Sequence, residues 1–451
     1  MVSAPGPSTR WTAINGLLIA VAAVALGQAI QFSPPYRRVR PNLLLTVTLL
    51  AAALTLGPPR SWPARLAGRD AQAMHIVLGA GLLWQLFELF VFSPLLRPAR
   101  AGIIRALIAA AAVVIAVELA GVGRAARWRL PLLVAIHFAL GVLVILGAPQ
   151  PFIDVYTWHV EAFRALGQGM NPYAITMPNI YGHEHFYGPG LMVDGRLQFG
   201  YPYPPLSLVL AGAGHVLGGD YRYANLAAMG LTALLIGTCR PGRLAFLAAA
   251  LFLFTPRTLF VLAQGWTEPQ VALLLAATVW CGCRAPVLVP LVLGLFFAVK
   301  QYAVLAAPLA VLLSPAPWRA RGRTLLKAML VAATLTLPFV VADVSGFVRG
   351  VVVLQVRQPF RADSLSYPAW WVRATGLAPP PAWLALVVLA VALVLCLRYA
   401  ARSVAAFAGA TALASLVFFA FNKQAFMNYY FFVVAAFCCA VAATEPGAEP
   451  S

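Results

Sequence analysis

Charge is scarce in this chain. Only 10% of its 451 residues are Asp, Glu, Lys or Arg, whereas about a quarter are charged in an ordinary soluble domain. Hydrophobic residues make up 62% and the mean hydropathy is +0.84, which excludes a disordered chain and a soluble enzyme. Lysine is nearly missing, with only Lys300, Lys327 and Lys423 present. The six cysteines (Cys239, Cys281, Cys283, Cys396, Cys438, Cys439) all fall in or beside apolar stretches, which excludes a small disulfide scaffold. Cys281-Gly282-Cys283 has no matching His/Cys pair to complete a zinc site. What is abundant is apolar sequence, in runs of about 20 residues, the length that crosses a bilayer as a helix. The composition therefore predicts an all-α polytopic membrane protein.

The net charge of +19 reads as topology rather than as affinity for nucleic acid. Arginines cluster in short connections (Arg124, Arg127, Arg129; Arg319, Arg321, Arg323; Arg398, Arg402), as cytoplasmic loops do. Expected apolar segments cover 11–30, 42–56, 74–92, 103–122, 130–146, 205–217, 224–239, 244–263, 269–283, 287–299, 302–313, 325–341, 382–397, 404–419 and 429–443. The first follows Arg10 and is too long for a signal-peptide core. Several fall short of a full crossing and are expected to be half-helices or re-entrant segments, giving about 11–14 real crossings. The arginine clusters place both long polar loops, 147–204 and 342–380, on the extracytoplasmic side. Counts taken from the two ends disagree by one crossing between 205 and 313. Either 205–217 does not cross, or 287–313 is one long helix. Arg37, Arg38 and Arg40 sit against the rule, leaving the first two spans open.

The 147–204 loop concentrates the polar chemistry. It holds Asp154, Glu161, Glu184 and Asp194 of the 13 acidic residues, and His159, His183 and His185 of the six histidines. Helical spacing from Asp154 predicts a short interfacial helix with Tyr156, Val160 and Phe163 on one face and Asp154, Trp158 and Glu161 on another. Gly167-Gln168-Gly169 and Asn171-Pro172-Tyr173 end it. A carboxylate just past a membrane exit can take a proton from an acceptor hydroxyl. It can equally be a solvated helix cap. His183-Glu184-His185 invites a metal reading, but with no second cluster at ligand spacing a hydrated loop or a sugar contact is favoured, and no metal or other cofactor is expected. Glu88 and Glu118 lie inside N-terminal spans with no role suggested by their neighbours.

The stretches Phe152-Ile153-Asp154-Val155-Tyr156, Asn171-Pro172-Tyr173 and Tyr201-Pro202-Tyr203-Pro204-Pro205-Leu206 resemble the GT-C membrane glycosyltransferases. The likeness is greatest to the GT87-like mannosyltransferases that use polyprenyl-phosphate-mannose. Gln264-Gly265-Trp266-Thr267-Glu268-Pro269, Lys300-Gln301 and the run from Phe421 through Lys423, Gln424 and Asn428 to Tyr430 fit the same pattern. The resemblance covers 130–443, a GT-C-like catalytic core. Residues 1–129 are then additional N-terminal helices, and 444–451 a short cytoplasmic tail. The 182–185 insert and the extra N-terminal helices fall outside the family pattern.

The resemblance implies inverting transfer of a hexose, mannose being the expected sugar, from a polyprenyl-phosphate donor to a lipid or glycan acceptor on the extracytoplasmic face. Carried over residue by residue, Asp154 becomes the general base. Lys423, Lys300, Arg357 and Arg361, supported by Gln424 and Asn428, become candidates for the donor phosphate. Glu161, Trp158, Tyr173, Tyr201, Gln264, Glu268 and Gln301 become substrate contacts, with Tyr156 a further platform for sugar stacking. Blander readings stand beside these: Lys423 snorkelling to the interface, Arg and Trp of 351–371 gripping headgroups, and Glu268 favouring a helix N-terminus. The expected partners are the lipid-linked donor, its acceptor and membrane lipids, and not nucleic acid. Alternatives are a transporter or flippase of a lipid-linked sugar, or a ligase or polymerase using a lipid-pyrophosphate glycan.

Overall fold

The computed structural model describes residues 7–31, 39–56, 70–92, 100–121, 126–182 and 186–444. His183, Glu184 and His185, Arg37, Arg38, Arg124 and nearly all of the expected C-terminal tail lie outside them. The described residues are mostly helical. The first five helices are α1 (Pro7–Gln31), α2 (Val39–Leu54), α3 (Asp70–Phe92), α4 (Ala101–Leu119) and α5 (Ala126–Gly147). The polar loop contains α6 (Asp154–Gly167) and three short strands, β1 (Met177–Pro178), β2 (Met192–Val193) and β3 (Arg196–Leu197). Both outer strands pair antiparallel to β3, with Met177 and Met192 opposite Leu197. Then follow α7 (Pro205–Gly218), α8 (Arg222–Cys239), α9 (Arg243–Phe254), α10 (Arg257–Ala263), α11 (Glu268–Arg284) and α12 (Val289–Val299). A 3-10 segment, Gln301–Leu312, leads to α13 (Trp318–Ala342). The second polar loop carries α14 (Val344–Val348), α15 (Leu354–Arg357) and α16 (Tyr367–Thr375), before α17 (Leu384–Tyr399), α18 (Val404–Ala420) and α19 (Met427–Ala443).

By length and composition, four of the described helices can cross a membrane: 72–91, 101–119, 127–147 and 318–342. The pair α9 and α10, bent by 51° at the break, has the length and composition of a broken span or of a re-entrant loop. Eight further apolar helical stretches are shorter, at 10–17 residues, among them 15–31 of α1. Helices α9 and α19 are apolar on every side because they are enclosed, with almost every residue of α19 buried. Helix α13 is the opposite case, since only Ala328 is buried while Leu326, Leu330, Leu337 and Val341 stand exposed. An apolar helix so exposed requires an apolar surrounding, which makes this a membrane protein.

Two breaks have local causes. Pro256, between α9 and α10, lacks the N–H that would continue the helix. Lys300 adopts extended backbone (φ −153°, ψ 146°) between α12 and the 3-10 segment, so 287–313 is not one long helix. Helix α7 stays at one end of the bundle. Its start follows Tyr203, its C-terminal His215 stacks on Phe163 of α6 at 4.3 Å, and Gly219 (φ 72°) turns the chain back. Arg222 then donates to the carbonyls of Ala263 (2.9 Å) and Pro149 (3.4 Å), at the ends of α10 and α5. Both ends of α7 therefore lie at the same end of the bundle, and 205–217 does not traverse it. Helix α8 runs from there to Cys239, whose carbonyl accepts from Arg284 of α11 at the far end (2.9 Å).

The N-terminal acids also find partners. Glu118 pairs with Arg129 and lies 4.0 Å from Arg243. Glu88 accepts from Gln28 (3.2 Å) and Trp84 (3.1 Å), joining α1 to α3.

Candidate functional site

The two polar loops, the start of α11, the break at Lys300 and the start of α19 converge at one end of the bundle around two adjacent cavities. The first, about 330 Å³, is lined by Asp154, Trp158, Tyr181, Phe186, Trp266, Arg361, Asn428 and neighbours. The second, about 270 Å³, is lined by Gln301, Tyr302, Leu305, Gln355, Phe418, Phe419, Asn422 and Lys423 among others. Trp158, Tyr203, Lys300, Gln358, Gln424 and Tyr429 border both and form the shared wall, or neck, between them.

Asp154 is the first residue of α6. Ile153, in extended backbone, occupies the cap position, so the carboxylate is not the helix cap that its position in the sequence also allowed. Its Oδ1 accepts from the Val155 N–H at 2.7 Å, and the Tyr187 hydroxyl donates to Oδ2 at 3.5 Å. The Asp154 N–H donates to the Tyr181 hydroxyl (3.2 Å). Burial raises the carboxyl to about 6, against the Val155 N–H, the Tyr187 hydroxyl and the Arg361 charge, which all favour the ionised form. The expected faces of α6 are rotated. Val155, Trp158, His159, Ala162 and Ala165 are buried, while Glu161 turns to Arg164 (2.5 Å) away from the cavities.

The cationic groups differ in how they are engaged. Lys300 donates to Glu268 Oε1 and Thr267 Oγ1, both at 2.7 Å, and sits over the Tyr203 ring at 4.5 Å. Arg361 donates twice to Asp363 (2.7 and 2.6 Å) and lies over Phe186 and Phe426 at 4.7 and 5.0 Å. Lys423 donates to the Val356 carbonyl at 2.8 Å and has no carboxylate partner among the described residues. Burial lowers its pKa. Of the cations lining either cavity, Lys423 thus carries the charge that no carboxylate answers.

Amides complete the neck. Gln424 donates to Gln358 (2.5 Å), and Gln301 to the carbonyls of Pro202 (2.6 Å) and Val351 (3.2 Å). Asn428 and Trp158 line the first cavity, and each keeps one buried polar atom, Oδ1 and Nε1, without a partner among the described residues. Such atoms are rare in folded proteins, and water or ligand is what commonly satisfies them.

Six expected contacts stand outside the lining, the first being Glu268, whose carboxylate is turned to Lys300. Tyr173 donates to the Tyr203 carbonyl (2.7 Å) and packs on Phe339 and Phe347. Tyr201 is buried against His159 and Ser207. Glu161 is paired with Arg164. Gln264 caps the C-terminus of α10, and Trp266, two residues on, faces the first cavity instead. Arg357 is exposed and reaches the Pro189 carbonyl at 3.4 Å, while its neighbour Gln358 lines both cavities. Tyr156 lies beneath Arg222 (5.1 Å) and also takes no part in the lining. Tyr181, Phe186, Tyr187 and Gln358 were not singled out from the sequence; the aromatic density of the first loop pointed to the three aromatics, and nothing pointed to Gln358. Among the described residues no group of three His, Cys, Asp or Glu side chains is placed to hold a metal ion.

No protein family model matches the chain, and no curated protein or solved structure matches it.

Proposed function

We propose that this protein is an integral-membrane glycosyltransferase that moves a hexose from a polyprenyl-phosphate donor to an acceptor hydroxyl. The cavity end of the bundle faces the extracytoplasmic side, and the chain makes about 11–14 crossings. The observation that carries the reading is one half-buried carboxylate, Asp154, on the wall of a cavity beside a second cavity that holds the uncompensated Lys423.

In this reading the donor phosphate sits in the second cavity against Lys423, beside the amides of Gln301, Gln355, Gln358 and Gln424. Leu305, Phe418 and Phe419 offer its prenyl chain an apolar wall. The sugar reaches through the neck into the first cavity. The acceptor oxygen attacks the anomeric carbon and its proton passes to the Asp154 carboxylate. The bond from that carbon to the phosphate oxygen breaks, and its electron pair stays on the phosphate, where Lys423 meets the growing charge. Lys300 is held by Glu268 and orients the neck. Mannose is the sugar the sequence resemblance favours.

The two broken segments, at Pro256 and Lys300, are also a feature of transporters, whose sites lie at such breaks near the bilayer midplane. Here the polar groups gather at one end of the bundle, which supports transfer rather than transport. The test is transfer of labelled mannose from polyprenyl-phosphate-mannose in membranes at matched expression. The parent transfers, and Asp154→Asn loses at least a hundredfold. Equal activity in both would remove Asp154 as the base. No transfer from this or any other polyprenyl-phosphate sugar would overturn the reading.

A further inference from the structure

His159 is the one histidine among the described residues of the first polar loop, and the chemistry above does not use it. It is wholly buried in the second turn of α6. Its Nδ1 lies 2.7 Å from the Val155 carbonyl and its Nε2 lies 2.9 Å from the Tyr201 hydroxyl. A carbonyl only accepts, so Nδ1 carries the proton and Nε2 receives the Tyr201 O–H. The imidazole stacks on Tyr221 at 4.2 Å and 10°. Tyr201 continues to Ser207 Oγ (2.9 Å) at the start of α7, and Tyr221 donates to the Gly265 carbonyl (2.7 Å).

Segments held by this ring, directly or through Tyr221, reach the first cavity. Val155 follows Asp154, Trp158 precedes His159, Tyr203 is two residues past Tyr201, and Trp266 follows Gly265; Asp154, Val155, Trp158, Tyr203 and Trp266 all line the first cavity. We propose that His159 is the positioning residue that holds the first turn of α6, and with it the Asp154 carboxylate, against the cavity. The inference deepens the transferase reading and rests on it for its consequence in catalysis.

In the neutral ring Nδ1–H meets the Val155 carbonyl and Nε2 accepts from Tyr201. Burial, with the nearby Lys300 charge acting in the same direction, lowers His159 to about 4, so the connection persists wherever Asp154 is ionised. The charged and titratable groups around the two are Tyr201, Tyr203, Tyr221 and Lys300 at His159, and Tyr181, Tyr187, Tyr203, Tyr429 and Arg361 at Asp154. Burial raises the tyrosines among them further from the carboxyl's range, and the Asp154→Asn difference isolates the carboxyl. Loosening the first turn admits water to Asp154, removes the burial that raises its pKa and lets it fall toward the ordinary carboxylate value.

The test is an infrared pH titration of the Asp154 carboxyl in the full chain in nanodiscs. Each protein is read as the difference from the same protein carrying Asp154→Asn. The parent midpoint is expected near 6. His159→Phe keeps a stacked ring but loses both hydrogen bonds, and should lower the midpoint by at least one unit. His159→Asn, whose amide can still reach the Val155 carbonyl, should recover most of the shift. Tyr201→Phe removes the Nε2 bond alone and should move the midpoint the same way by less. An unchanged midpoint in folded His159→Phe would make His159 simple core packing and overturn the proposal. Should that variant not fold, an unchanged midpoint in Tyr201→Phe would do the same. The titration needs no activity, so absence of sugar transfer in the parent would strike the transferase reading and leave the positioning role standing or falling on its own.

Discussion

The Lys300 ammonium lies 2.7 Å from Glu268 Oε1, with both side chains almost fully buried and 32 residues apart in sequence. Each comes from a place where helix gives way: Glu268 from the first turn of α11, Lys300 from the extended residue after α12. The Glu268 Oε2 has no partner among the described residues, so removing Lys300 strands a buried charge. Breaking a buried pair in this way costs about 3–5 kcal/mol. Lys300→Met should lower the melting temperature in detergent far more than the double change Lys300→Met with Glu268→Met. The double variant should regain stability but not transfer activity. Additive melting shifts in that cycle would show that the two groups do not act as a pair.

The pH dependence follows from the sign of the Asp154 shift. The carboxyl is raised to about 6, and a base works only when ionised. Activity at low substrate should therefore rise about tenfold per pH unit below 6 and level off above it. A limb centred near 4 would mean that the carboxylate is solvated during turnover.

Lys423 and Arg357 make a matched comparison, since both were expected at the donor phosphate but only Lys423 lines a cavity. Lys423→Met should raise the donor KM and lower kcat, with a combined loss of at least tenfold in kcat/KM, and Lys423→Arg should recover part of it. Arg357→Ala should stay within about twofold of the parent, because its guanidinium reaches only the Pro189 carbonyl on the surface. The reverse ranking would place the phosphate on the outer rim.

Gly265 has φ +70°, and a Cβ there would lie 2.1 Å from the Tyr221 hydroxyl oxygen. Gly265→Ala should destabilise the protein by about 1–3 kcal/mol through backbone strain alone, with the Tyr221 hydrogen bond lost in addition. Thermal unfolding of the purified chain measures this. An unchanged melting temperature would show that the turn between α10 and α11 can rearrange.

Much of the architecture was legible because it is local. Apolar runs and their Pro, Gly and Arg boundaries marked nearly every helix, since a helix in an apolar surrounding must satisfy its backbone within itself. The first polar loop declared itself by its acids, histidines and aromatics, and the helix starting at Asp154 by its spacing. The face of that helix was read about one position off, because helical periodicity alone does not say which apolar stripe the protein encloses.

What the sequence by itself determined is the class of protein, the order of its helices and the loop that holds Asp154, all consequences of neighbouring residues acting together. Only the tertiary structure decided that α7 turns back without crossing, because that depends on His215 meeting Phe163 and on Arg222 reaching carbonyls 41 and 73 residues away. It alone paired Lys300 with Glu268, left Lys423 without a carboxylate, and kept Tyr173 and Tyr201 out of the cavity. Those outcomes rest on which distant side chain fills a given space, and no local pattern encodes that.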